Sequence, residues 1–289
     1  MAGRSPVRGR QSLFMASSLD EAVSALADGG GGAAAFAGGT WIMRAPIRGE
    51  APAAFHVGLG RIRELTTIET GPDEISIGAC VTHARLVAAL TGQRQFAGLV
   101  GAARGAANPA VRELATVGGN LCAAQFPASD LIPALMGLDA KIELANPAGA
   151  ERVSVERFLE MRRTLVPGTV LTRIFIPRSG ARSAHARLPM RKAGDYPVAI
   201  VSMAADLDAD GSAHDIRIGV GSVEAAARRW PELEAGLTGR RLIPSEAQKL
   251  AEGSLAAFNG RDGIEAPGWY RLQVLPVLVR RAAEALLSS

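Results

Sequence analysis

Two paired-glycine segments constrain this chain more than any other feature: Ala37-Gly38-Gly39-Thr40-Trp41 and Ala115-Thr116-Val117-Gly118-Gly119-Asn120. In each, adjacent glycines stand beside a small hydroxyl or amide side chain. Glycine tolerates φ > 0 and lets backbone amides approach a neighbour closely, so successive N–H groups can form an anion-binding nest. Two nests from distant segments would cup a diphosphate from opposite sides. Either pair alone also reads as a tight turn. Neither fits the dinucleotide fingerprint G-x-G-x-x-G, and no P-loop lysine follows. A nucleotide cofactor is thus suggested but not identified.

The segments around these glycines alternate between strand and helix patterns. Ser18 with Glu21 forms a capping box ahead of Leu19, Val23, Leu26 and Ala27, which predicts a short amphipathic helix stopped by Gly29 to Gly32. Strands are expected over 33–37, 53–59, 75–79, 141–144 and 170–176. Helices are expected over 82–90 with Thr82 as cap, over 99–107 until Asn108-Pro109 breaks it, and over 129–136 with Pro133 in the first turn. Pro177-Arg178-Ser179-Gly180 marks a boundary. Beyond it, strands over 198–207 and 216–220 flank Asp208-Ala209-Asp210-Gly211 as an antiparallel hairpin. Helices over 245–258 and 271–287 follow, so the end of the chain reads as a smaller α+β unit.

Composition narrows the function. Of 289 residues, 48% are hydrophobic, enough for a sizeable core. The 32 basic and 28 acidic residues are interspersed. No Lys/Arg block alternates with aromatics, so the basic balance reads as solvated surface and nucleic-acid binding is not expected. The start, with Arg4, Arg8 and Arg10, lacks a signal peptide's apolar stretch, and no run of 18 apolar residues exists to span a bilayer. A soluble, cytoplasmic protein is expected. Cys80 and Cys122 cannot between them hold an iron–sulfur cluster, and the four histidines show no ligand spacing. No metal is expected, so redox chemistry on this chain would need an organic cofactor.

Gly38-Gly39-Thr40 and Thr116-Val117-Gly118-Gly119-Asn120, followed by Ser129-Asp130-Leu131-Ile132-Pro133-Ala134-Leu135, resemble the two FAD motifs of the molybdenum hydroxylase flavoproteins. That family includes the carbon monoxide dehydrogenase medium subunit and the xanthine dehydrogenase FAD domain. Arg191-Lys192-Ala193-Gly194-Asp195-Tyr196 is similar to the family segment near the isoalloxazine ring, and Tyr270-Arg271 with Arg280-Arg281-Ala282 to its last helix. The resemblance extends from about Leu13 to Leu287.

The resemblance implies an α+β chain: a two-subdomain FAD-binding fold of the vanillyl-alcohol-oxidase/PCMH type, then a small α+β C-terminal domain of antiparallel sheet plus helices. The implied boundaries are 1–57, 58–176 and 177–289. By motif position, Ala37, Gly38, Gly39, Thr40 and Trp41 would wrap the pyrophosphate together with Thr116, Val117, Gly118, Gly119 and Asn120. Trp41 departs from the small or acidic residue usual there, so its contact is expected through the backbone. Asp130 would bond the cofactor's sugar portion, and Tyr196 would lie near the flavin ring with Asp195 and Lys192 beside it. Read without the family, Asp130 caps a helix, Tyr196 packs at a strand entry and Lys192 is a solvated cation. No catalytic acid or base is assigned.

As a family member the chain would hold FAD non-covalently. It would accept electrons from [2Fe–2S] clusters of a small partner subunit and pass them to an external acceptor. The molybdenum cofactor would sit on a large partner subunit, in a heterotrimer or a dimer of heterotrimers. The alternatives are a free-standing FAD oxidoreductase of the same fold and a non-redox nucleotide-binding module.

Overall fold

Three sheets organise the chain in the computed structural model, which describes residues 12–190 and 196–288. The first sheet is parallel, with Phe55–Gly58 between Ser12–Met15 and Ala33–Phe36. Parallel strands need a crossover, supplied by the helix Leu19–Gly29. Its cap forms as the sequence predicts on one side: Ser18 Oγ accepts from the Glu21 N–H. The Glu21 carboxylate, however, turns back to the N–H and hydroxyl of Ser17, not to Ser18. The helix ends on Gly30 at φ +51°, a left-handed position that glycine takes without strain. Its buried face, Ala22, Val23 and Leu26, packs with Val57, Leu59, Ile62 and Leu65.

The second sheet is antiparallel, in the order Ile68–Thr70, Glu74–Gly78, Val170–Pro177, Lys141–Asn146, Gly149–Ser154. Its inner face, with Ile75, Ile77, Ile142, Leu144, Ile174 and Ile176, joins helix residues Leu86, Leu99, Leu121, Leu131 and Leu135 in one core. Those helices are His83–Leu90, capped by Thr82, Ala97–Gly105, Val117–Cys122 and Leu131–Gly137. Asn108-Pro109 does more than break a helix. Asn108 accepts from the Val111 N–H and starts a short helical turn, Pro109–Arg112, with proline at its favoured first position.

The third sheet, Arg182–Pro189, Pro197–Ala205, Arg217–Gly221 and Arg228–Arg229, is antiparallel throughout. Every residue of Pro197–Ala205 is buried, because helices cover both faces: Leu131–Gly137 on one and Leu275–Ser288 on the other. The first of these joins the third sheet to the rest of the chain at close range. A Cβ on Gly219 would stand 2.3 Å from the Pro133 carbonyl oxygen. The terminal helices are shorter than their periodicity predicts. The first stops at Gly253 before a 3₁₀ turn, Leu255–Ala257, and the second divides into Gly268–Gln273 and Leu275–Ser288. No helix among the described residues is long and apolar enough to cross a membrane.

Candidate functional site

Both glycine segments face one cavity of about 630 Å³, within the range of small-molecule and cofactor pockets. The first segment leaves the strand Ala33–Phe36 and turns at Gly39, whose φ of +71° favours glycine. Gly38 is required for another reason. A Cβ there would lie 1.7 Å from the Leu114 carbonyl oxygen, so the first segment rests directly on the residues leading into the second. Met43 donates to the Gly39 carbonyl and Arg44 to that of Trp41, whereas the N–H groups of Gly38, Gly39 and Thr40 find no acceptor among the described residues. Three successive donors, on residues that line the cavity, are thus left unpaired among the described residues.

The second segment differs from the nest its glycines suggest. Thr116 caps a helix, Val117–Cys122, and its Oγ1 accepts from the Gly119 N–H at 3.1 Å. Val117 donates to Val81, Gly118 to Ala79 and Asn120 to the Thr116 carbonyl. The amides of Val117 to Asn120 are therefore already committed. Gly118 is a packing residue, since a Cβ would lie 2.7 Å from that of Ala79. Thr116, Gly118, Gly119 and Asn120 still line the cavity, while Val117 is buried in the core beneath it.

Aromatic side chains form another wall. Phe126 lies between Trp41 and Tyr196, with ring centroids 4.9 Å from each. Arg44 donates to the Tyr196 hydroxyl at 2.9 Å. The Arg48 guanidinium, paired with Glu50, sits 3.9 Å over the Trp41 ring. The Trp41 side chain is thus part of this aromatic cluster. Phe126 escaped the sequence reading. Its one signal was an isolated aromatic after Ala123-Ala124-Gln125 in a chain with 4% aromatic residues. Lys192 and Asp195 lie outside the described residues.

Asp130, expected at the cofactor's sugar, is not part of the cavity wall. It is 2% exposed, and its carboxylate accepts from Arg187 Nε at 2.9 Å and pairs with His185 Nε2 at 3.2 Å. Both partners come from the third sheet, so the acid ties the cofactor half of the chain to the C-terminal half. Nor does its side chain cap the helix Leu131–Gly137; Ser129 reaches that helix's Ile132 N–H at 3.4 Å and donates its hydroxyl to Asn120.

Further polar groups of the wall include Arg162, His83, Cys80 and Cys122. Burial pushes the Cys80 thiol up to about 12, with Cys122 adding to the effect. Cys122 has exposed area and lines the cavity, and desolvation pushes its thiol up to about 11. His83 is held down to about 4 by burial, against the opposing pull of Asp130. It is therefore neutral near pH 7, and neither ring nitrogen has a partner among the described residues. Among those residues no three His, Cys, Asp or Glu side chains converge as metal ligands.

A cavity lined from both the parallel and the antiparallel sheet, with unpaired glycine-loop amides in one part of its wall and a cluster of aromatics in another, suits a dinucleotide with an aromatic head. Residues 9–179 match the FAD-binding domain of molybdopterin dehydrogenases, and residues 184–286 match the C-terminal domain of CO dehydrogenase flavoproteins. The chain belongs to this family of FAD-binding flavoprotein subunits. It is 27% identical over 278 residues to the 6-hydroxypseudooxynicotine dehydrogenase complex subunit alpha of Paenarthrobacter nicotinovorans, covering 94% of this chain and 93% of that one. It is 26% identical to the carbon monoxide dehydrogenase medium chain of Hydrogenophaga pseudoflava, covering 93% and 94%. A solved carbon monoxide dehydrogenase structure from that organism superposes with a TM-score of 0.88 at 26% identity, covering 98% of this chain and 99% of that one. Quinoline 2-oxidoreductase from Pseudomonas putida 86 gives 0.86 at 26% identity, covering 96% and 98%.

Proposed function

We propose that this chain is the electron-transfer subunit of a multi-subunit molybdenum hydroxylase, taking electrons from [2Fe–2S] clusters of a small partner subunit and delivering them to an external acceptor. The observation that carries the reading is the cavity, whose unpaired Gly38–Thr40 amides suit the diphosphate of FAD and whose aromatic wall suits its ring system. When bound, FAD supplies the exchange between one-electron carriers and a two-electron acceptor. The amides of Gly38, Gly39 and Thr40 hold the diphosphate by donating to its oxygens. Ala37 and Trp41 extend that wall, and Thr116, Gly118, Gly119 and Asn120 close the opposite side by shape. Trp41, Phe126 and Tyr196 shield the ring system from water, with Lys192 and Asp195 assigned beside it by the family motif.

The domain reading is 1–57 and 58–176 for the cofactor half and 177–289 for its cover. The molybdenum cofactor belongs on a large partner, in a cytoplasmic heterotrimer or dimer of heterotrimers. Supporting this, relatives are named as medium subunits or chains, words that imply companions. The visible spectrum of the purified chain, before and after acid release, tests the cofactor assignment. Flavin bands released as FAD are expected; a colourless chain that takes up no added FAD overturns it. Co-purification with the partner subunits should bring iron and molybdenum, and a complex with neither refutes the assembly.

A further inference from the structure

We propose that Arg162 is an anion-binding residue of this cavity and holds the cofactor's diphosphate. The proposal rests on the FAD reading above. The cavity's lining includes two arginines, Arg44 and Arg162, and no Asp or Glu among the described residues. Arg44 is engaged with the Tyr196 hydroxyl. Arg162 has no carboxylate partner among those residues. Its Nη1 donates to the Leu121 carbonyl at 2.6 Å and its Nη2 reaches that of Ala124 at a long 3.5 Å, while its Nε is buried with no partner. The nearby Cys122 thiol, pushed up to about 11, is neutral near pH 7 and offers no counter-charge.

A cap on the last carbonyls of Val117–Cys122 explains part of this geometry. It does not explain a half-buried cation left without a counter-ion, which is costly. An anion in the cavity supplies that counter-charge and can accept from the Nη protons that the two carbonyls leave free. Gly38 to Thr40, whose amides have no acceptor among the described residues, line the same cavity, so two independent sets of donors call for the same chemistry. Two carbonyls holding the guanidinium keep its remaining edge oriented before any ligand arrives, as suits a planar fork recognising phosphate.

The test uses the full chain stripped of flavin, titrated with FAD, ADP and riboflavin, the last having no phosphate. Arg162→Gln keeps an amide donor for the carbonyls but removes the charge, Arg162→Lys keeps the charge, and Arg163→Gln at the exposed neighbour is the control. Arg162→Gln should weaken FAD and ADP alike by roughly ten- to a hundredfold, the scale of a lost charge-assisted hydrogen bond. Riboflavin should be unaffected, and Arg162→Lys should recover most of the loss. Equal weakening of riboflavin, or a lowered Tm with FAD and ADP binding unchanged, overturns the proposal and leaves Arg162 as a helix cap. Should Arg162→Gln not fold, phenylglyoxal modification of the wild-type chain decides: ADP should shield Arg162 but not Arg163, and unshielded Arg162 refutes it. If the wild-type chain itself binds no FAD, the cofactor reading has failed; wild-type binding matched by the Gln variant sinks this proposal alone.

Discussion

Gly38→Ala tests whether the two glycine segments are held at the distance described. The new Cβ would stand 1.7 Å from the Leu114 carbonyl oxygen and 2.6 Å from its carbon, where ordinary contact begins near 3.4 Å. The segments would have to part by about 1.7 Å (3.4 minus 1.7). The obstacle is backbone, so no rotamer change relieves it. Overpacking costs about 1–3 kcal/mol, and an immovable neighbour places this case near the top, at about 3 kcal/mol. At about 2–4 °C per kcal/mol for a chain of this size, Tm should fall by roughly 6–12 °C. The same displacement carries the Gly38–Thr40 amides away from the cavity, so FAD should bind at least tenfold more weakly, the equivalent of about 1.4 kcal/mol. Gly60→Ala is the control, since a Cβ there meets nothing within 4 Å. Thermal melts and flavin-fluorescence titrations read both effects. A Gly38→Ala chain that melts within about 1 °C of wild type and binds FAD normally would refute the close approach.

Other perturbations address different parts of the site. Because the Cys80 and Cys122 thiols are pushed up to about 12 and 11, iodoacetamide should label the folded, flavin-free chain slowly at pH 8, with the rate at Cys122 still climbing past pH 10; fast labelling at pH 8 contradicts the raised thiols. His83 binds a proton near pH 4 when folded and near 6.5 when unfolded, so stability should fall as pH drops from about 6.5 towards 4, by at most about 3 kcal/mol, with no effect above. His83→Leu should flatten that slope, and an imidazole titrating near 6.5 by NMR counts against it. Asp130→Asn strips the charge that His185 and Arg187 share, costing about 2 kcal/mol. Its FAD affinity should stay within about threefold of wild type on the scale of an untouched contact; a large loss of affinity at full stability would restore the acid to the cofactor.

Sequence patterns made the local signals legible. The caps at Ser18, Thr82 and Asn108–Pro109 are written in adjacent residues, and the hydrophobic runs at 75–79, 170–176 and 198–207 match their strands. Edge elements were not legible. Gly149–Ser154 is mostly exposed and lies at the sheet margin, so its strand state comes from pairing with Lys141–Asn146 and not from its own pattern. Arg182–Pro189 carries two arginines and a histidine, and it acquires a buried face only when Pro197–Ala205 and the helices Ala97–Gly105 and Leu275–Ser288 pack against it, with Asp130 pairing His185 and Arg187. The second glycine segment misled because paired glycines disfavour helix by propensity, yet Thr116 and the bonds to Val81 and Ala79 impose one. The cofactor's identity was readable through family resemblance alone. Phe126 and Arg162 became visible only when folding brought their segments to the same wall.

The contact of Gly38 with Leu114 also fixes when a site can exist. The two residues belong to segments far apart in the chain, separated by the second sheet's first strands and the helices His83–Leu90 and Ala97–Gly105. A chain that has formed only its parallel sheet has one wall and no cavity. Closing a contact of such long range requires ordering much of the intervening chain first, so it belongs to the late stages of folding. Flavin loading is then a report on completed assembly of the cofactor half, and a chain emerging from synthesis remains colourless until residues well past 114 have packed.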